Sequence, residues 1–141
     1  MSLTFQLTQA LSGHSCFRSY LHRFKQADDR YCVYCMDPDD TAEHTVFSCP
    51  RWLDDHARLT EILRRSLNAG DVEDILCGPL PADLPEEPVS RRRMLMQAKT
   101  NRDELVKMVE SIMTTKKEDE REEEAYYRGV LNRRKAGQAP A

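Results

Sequence analysis

The sequence predicts an all-α fold: a small helical domain clipped by one Cys/His cluster, with a long C-terminal helix. Three observations point there. Apolar residues recur at helical spacing through most of the chain, no segment alternates convincingly as a strand, and three cysteines and a histidine gather within residues 32 to 49.

Taken in order, the first element is a short helix carrying Phe5, Leu7 and Leu11, separated by Gly13 from a second. Phe17, Tyr20, Leu21 and Phe24 fall at i, i+3, i+4 and i+7 and mark one face of that second helix, with Ser15 as its cap. The other face presents Arg18, His22 and Lys25, either solvated or set to meet phosphate. Residues 28 to 50 change character, because two Asp pairs and Pro38 signal turns, with at most a tiny hairpin at the first two cysteines. Asp40 followed by Glu43 resembles a capping box. A short helix is therefore expected there, with His44 in its first turn and Cys49 past its end, where Pro50 stops it.

Trp52, His56, Leu59, Ile62, Leu63 and Leu67 trace the stripe of the best helix, closed by Asn68, Ala69 and Gly70. A brief helical turn is expected around Val72, Ile75 and Leu76. Pro79, Pro81, Pro85 and Pro88 make residues 77–90 a linker or strapped loop, since helices and central strands reject proline. The expected organisation is a helical metal-binding domain over 1–76, a linker over 77–90, a long helical segment over 91–131 and a disordered tail over 132–141. Leu95, Ala98, Leu105, Met108, Val109, Ile112 and Met113 keep the 3.6 period of that segment, with Asn101 and Asp103 as candidate kink positions. Beyond Met113 the apolar face disappears. Residues 114–125 are expected to be helical only as a charge-paired, solvent-exposed extension.

The 141 residues carry a net charge of -3, unevenly spread. Glu118 to Glu124 holds six acids and one arginine, so this heptad carries -5 and the remainder +2. A globally basic nucleic-acid binder is excluded, whereas local basic surfaces are not. No run of about 18 apolar residues exists to span a membrane. The N-terminus lacks the basic start of a signal peptide, and a reduced thiolate metal site points to the cell interior, so an intracellular location is expected, nucleus and cytoplasm not being distinguished.

Five cysteines make an odd count, and a C-x2-C pair with a downstream histidine favours metal over disulfides. The full spacing is C-x2-C-x8-H-x4-C over Cys32, Cys35, His44 and Cys49. Two cysteines three apart let one tight turn aim both sulfurs at a point, and three thiolates with one imidazole are a common structural set for a single zinc ion. Four protein ligands leave no open position, so no catalysis by the metal is expected. His56 competes as a ligand but belongs to the Trp52 stripe, and His14, Cys16 and His22 straddle a glycine break. Cys16 and Cys77 read as ordinary thiols; Cys77 precedes Gly78-Pro79 with no histidine near it. A ubiquitin-ligase ring needs twice these ligands. The chain is read as non-enzymatic.

The run LTQALSGHSCFRSYLHRF, then YCVYC, then DTAEHTVFSCPRW, resembles the C-terminal CCHC zinc segment of arthropod non-LTR retrotransposon polyproteins, in the jockey-like and ribosomal-DNA-inserting clades. Gly13-His14, Phe17, Tyr20 and Leu21 match the family's T-G-H-G-x-F-x-x-Y-L helix. Cys32, Cys35, His44 and Cys49 match its zinc element, and the Met113, Lys116, Arg121 region matches its ending. The resemblance spans roughly residues 5 to 127. It implies a zinc knuckle downstream of a reverse transcriptase, gripping template RNA or target DNA. The family's endonuclease and polymerase are absent, and Asp28-Asp29 and Asp39-Asp40 sit in loops rather than in a polymerase strand context. The chain thus reads as an excised C-terminal domain or a small free-standing gene, and Arg91 to Arg93 after the prolines is not a family hallmark.

For nucleic acid, Tyr31 and Tyr34 flank the first cysteines and are placed to stack on unpaired bases, while Arg18, His22, Arg23, Lys25, Arg30, Arg51 and Arg58 supply a phosphate-facing patch. Asp28, Asp29, Asp37, Asp39 and Asp40 oppose them, so binding is expected to be weak in the isolated domain. The alternative is a protein-interaction module, with a protein partner or a second copy engaged through the C-terminal helix. That reading turns on whether Leu105, Met108, Val109 and Ile112 face the core or a partner.

Overall fold

Every regular element is helical in the computed structural model, which describes residues 5–13 and 16–137. The elements are α1 (Phe5–Ser12), α2 (Arg18–Arg23), a π-turn (His44–Ser48), a 3₁₀ turn (Pro50–Trp52), α3 (Leu53–Leu63), α4 (Asp71–Cys77), a 3₁₀ turn (Pro81–Asp83) and α5 (Pro88–Gly137). The all-α expectation holds, without the hairpin among the described residues. None of these helices is long and apolar enough to cross a membrane.

α2 is shorter than its apolar spacing suggests. Phe17 precedes it and is fully buried, whereas Phe24 follows it, 57% exposed, against Tyr20 at 4.9 Å. The expected cap Ser15 and residue His14 lie outside the described residues. Pro50 opens the Trp52 helix rather than only ending the turn before it, as proline's fixed φ allows at a first helical position. α3 then ends at Leu63, four residues earlier than the Leu67 stripe implied, because Arg64 adopts the left-handed conformation at φ +60. Leu67 still reaches the core, from the following turn.

Pro88 likewise belongs to a helix, as the first residue of α5. Glu87 caps it, its carboxylate accepting from the Val89 and Ser90 N–H groups at 3.0 and 2.7 Å. α5 runs 50 residues without a break at Asn101 or Asp103 and continues through 132–137, where a tail was expected; residues 138–141 lie outside the description. At 1.5 Å per residue it is about 75 Å long. Leu105, Met108, Val109, Ile112 and Met113 are buried against α1, α3 and α4. They complete the core with Leu7, Phe17, Trp52 and Leu59, so most of this stripe is used within the chain, although Leu105 and Val109 also border an apolar groove.

The charged stretch after Met113 is not a solvent-exposed extension. Lys116, Asp119, Glu120 and Glu123 fall on one side of α5 and meet the body: Lys116 is 4% exposed and bonds both oxygens of Asp40, itself fully buried, at 3.1 and 2.9 Å. Tyr34 donates to Asp119 at 2.6 Å, and the Arg18 guanidinium donates to Glu123 at 2.8 Å. Residues 116–123 of α5 are thereby tied to Arg18 at the start of α2 and to the loop between residues 28 and 50.

Candidate metal centre

The loop after α2 folds by local hydrogen bonds that fix its cysteines. Met36 N–H donates to the Cys32 carbonyl at 2.8 Å and Cys32 N–H to the Asp37 carbonyl at 2.9 Å. Met36 takes a left-handed φ of +65 to close the turn. Cys32 and Cys35 thus point to one side. Further on, Cys49 N–H donates to the His44 carbonyl at 2.7 Å, the i to i+5 bond of a π-turn. In an α-helix residues five apart sit about 140° apart around the axis. The wider turn brings His44 and Cys49 to the same side. Thr41 caps it, its Oγ1 accepting from His44 N–H at 3.1 Å. Asp40, expected as the cap, instead spends its carboxylate on Arg18 N–H, Thr45 and Lys116.

The four ligand atoms of Cys32, Cys35, His44 and Cys49 lie within 4.8 Å of one another. Cys32 Sγ to Cys49 Sγ is 3.7 Å, Cys49 Sγ to Cys35 Sγ is 3.9 Å, and Cys35 Sγ to His44 Nε2 is 3.3 Å. A tetrahedron with metal–sulfur bonds of about 2.3 Å has sulfur–sulfur edges of roughly 3.8 Å. These separations match the edges of such a coordination polyhedron. Asp37 Oδ2 lies 3.6 Å from His44 Nδ1, on the ring nitrogen opposite the Nε2 that faces the sulfurs. Burial foremost, then Cys32 and Cys35 alongside, pushes the Cys49 thiol up to about 12, partly offset by the Arg51 backbone N–H on its sulfur. A bound divalent cation acts in the opposite sense and holds thiols as thiolates. The donor set fits one closed metal site.

Among the residues expected to meet nucleic acid, three arginines are committed elsewhere. Arg18 is bound to Glu123 and lies 3.7 Å from Asp29, Arg30 pairs with Asp39 at 2.8 Å, and Arg58 pairs with Glu104 at 2.9 Å. Tyr34 is turned inward, edge-on to Trp52 at 5.3 Å and bonded to Asp119. His22 Nδ1 sits 3.3 Å from the Ala27 carbonyl on an exposed helix end. Arg51 lies over the Trp52 ring at 4.6 Å, and Arg23 over Phe24 at 5.2 Å. Arg23, Lys25, Tyr31 and Arg51 remain exposed.

His56 is no ligand; it is half-buried, its ring bonded to the Val46 carbonyl, and desolvation lowers its pKa. Cys16 is buried, which raises its thiol to about 11, while Cys77 is exposed. The residues missed from sequence are Asp40 and the α5 side chains that meet the loop. Their signal was present, since Lys116, Asp119, Glu120 and Glu123 repeat at i, i+3, i+4 and i+7 across the start of the acidic run. No protein-family model matches the chain, and neither a curated protein nor a solved structure matches it.

Proposed function

We propose that the chain is a non-catalytic zinc-stapled module that binds single-stranded RNA or DNA beside its metal loop. It resembles the CCHC segment of non-LTR retrotransposon reverse transcriptase polyproteins. The observation that carries the reading is the convergence of Cys32, Cys35, His44 and Cys49 within 4.8 Å, backed by Asp37 behind His44. Three thiolates and an imidazole select zinc among the common divalent ions and leave it no open position for substrate. Structural zinc of this kind contributes roughly 10–16 kcal/mol of apparent binding energy to folding. Around it, Arg51 on Trp52, Arg23 on Phe24, Lys25 and Tyr31 offer cations and an aromatic face to a strand.

The test has two stages. Protein purified without added metal should carry one zinc by elemental analysis, and Cys49→Ser should lose both the ion and helical signal. Titration of a labelled single strand should then show affinity that falls with added salt and weakens in Arg51→Ala. A folded, metal-free parent refutes the zinc assignment; an unmoved Arg51→Ala titration refutes the interface. A second reading, a protein-interaction module, is favoured by a separate observation: the largely buried Arg18 is bound to Glu123, and Arg30 and Arg58 each face a carboxylate, which offsets part of the positive charge offered to phosphate.

A further inference from the structure

Away from the metal, α1, the π-turn region and α4 stand as walls around an apolar groove of about 680 Å³ floored by Leu105 and Val109 of α5. Leu11 and Leu76 line its sides, and its only charged lining residues are Glu43 and Glu73. Neither makes an ion pair among the described residues. Elsewhere, all ten residues from Pro88 to Gln97 are exposed, so the first turns of α5 project from the body as an arm. That arm carries Val89, Met94, Leu95 and Met96 at 40–64% exposure, interleaved with Arg91, Arg92 and Arg93. An apolar groove with an acidic rim and an apolar arm with a basic flank are complementary.

We infer that the groove receives the α5 arm of a second copy of this chain, forming a twofold antiparallel dimer. The arm cannot fill its own groove, because Leu95 and Leu105 lie on one unbroken helix, ten residues or about 15 Å apart. A second α5 running antiparallel, with the twofold axis near Thr100, sets Leu95 of one copy against Leu105 of the other. It also sets Arg91 level with Val109, within the groove whose rim holds Glu43 and Glu73. The same operation seats the first arm in the second groove, as an isologous interface requires. Charge supports the match at larger scale: residues 1–87 hold eight basic and fifteen acidic side chains, net -7, while 88–102 hold five basic and none acidic, net +5.

The test is sedimentation velocity with light scattering on the zinc-loaded full chain. The parent should run at twice its 16.4 kDa at micromolar concentrations. Leu95→Asp should return it to a monomer with unchanged helicity, since that side chain is exposed. Arg91→Glu/Arg92→Glu and Glu43→Arg/Glu73→Arg should each be monomeric alone and associate when mixed, because every arm then meets a groove of opposite sign. A parent that stays monomeric at hundreds of micromolar overturns the proposal, as does a dimer indifferent to Leu95→Asp or a mixture that fails to associate. None of these outcomes depends on nucleic-acid binding.

Discussion

A carboxylate with no exposed surface must use its lone pairs inside the protein, and Asp40 does so with Arg18 N–H, the Thr45 hydroxyl and the Lys116 ammonium. Asp40→Asn keeps the shape and one acceptor but removes the carboxylate charge facing the buried Lys116, which keeps the Phe17 and Tyr34 ring faces and the more distant Glu120. The expected loss in urea unfolding of zinc-loaded protein is about 3–5 kcal/mol. Lys116→Met should cost less, since Asp40 keeps two donors; equal losses would show that the pair is not the seat of the effect. Asp71 gives a pH prediction. The Arg65 fork at 2.5 and 2.8 Å, then Asn68 N–H, holds its carboxyl below the ordinary range. Its contribution is therefore present above the unfolded carboxylate pKa near 3.9 and lost as pH falls through the lower folded value. The stability gap between parent and Asp71→Asn should be constant near neutrality and close below about pH 4; a gap that opens on acidification reverses the assignment. The Cys/His cluster was legible in sequence because coordination demands fixed residue types at short spacing. Asp40 was not, since its partner lies 76 residues away and its local pattern matched a cap.

Elements make the metal loop and α5 one cooperative unit. Tyr34 lies between the ligands Cys32 and Cys35, and its hydroxyl reaches Asp119; Asp40 lies between Cys35 and His44 and holds Lys116. Removing the ion should release both contacts at once. After chelation, amide exchange over 114–124 should rise toward that of the arm, while Leu105 to Met113 stay protected by α3 until the body melts. Loss of protection confined to 28–50 would mean that the loop and helix are energetically separate. Tyr34→Phe removes only the charge-assisted bond and should cost about 1.5–3 kcal/mol. Helix existence was readable from the 3.6 period, from α1 to α5. Boundaries were not: the left-handed Arg64 ends α3 and the Glu87 cap starts α5 at Pro88, and both depend on backbone geometry that periodicity does not encode.

Over the whole molecule, charge rather than apolar pattern separates the surfaces. The body carries -7, the arm +5, residues 103–124 carry -5, and 125–137 carry +4. A polyanion approaching the metal loop meets a net-negative body in which Arg18, Arg30 and Arg58 are already engaged. Near the loop, Arg23, Lys25 and Arg51 are exposed and make no ion pair among the described residues, whereas Arg30 and Arg58 are exposed but face carboxylates. Each phosphate neutralised on a single strand contributes about -0.7 to the slope of log K against log salt, so three give roughly -2. Arg51→Ala should flatten that slope by about 0.7 and lower affinity at every salt concentration. Arg91→Ala/Arg92→Ala/Arg93→Ala should leave it unchanged if the strand lies at the loop. The opposite pattern, a slope steeper than three contacts allow and abolished by the arm substitutions, would move the interface to the first turns of α5. The zinc site would then be a brace for the helix and not part of the binding surface.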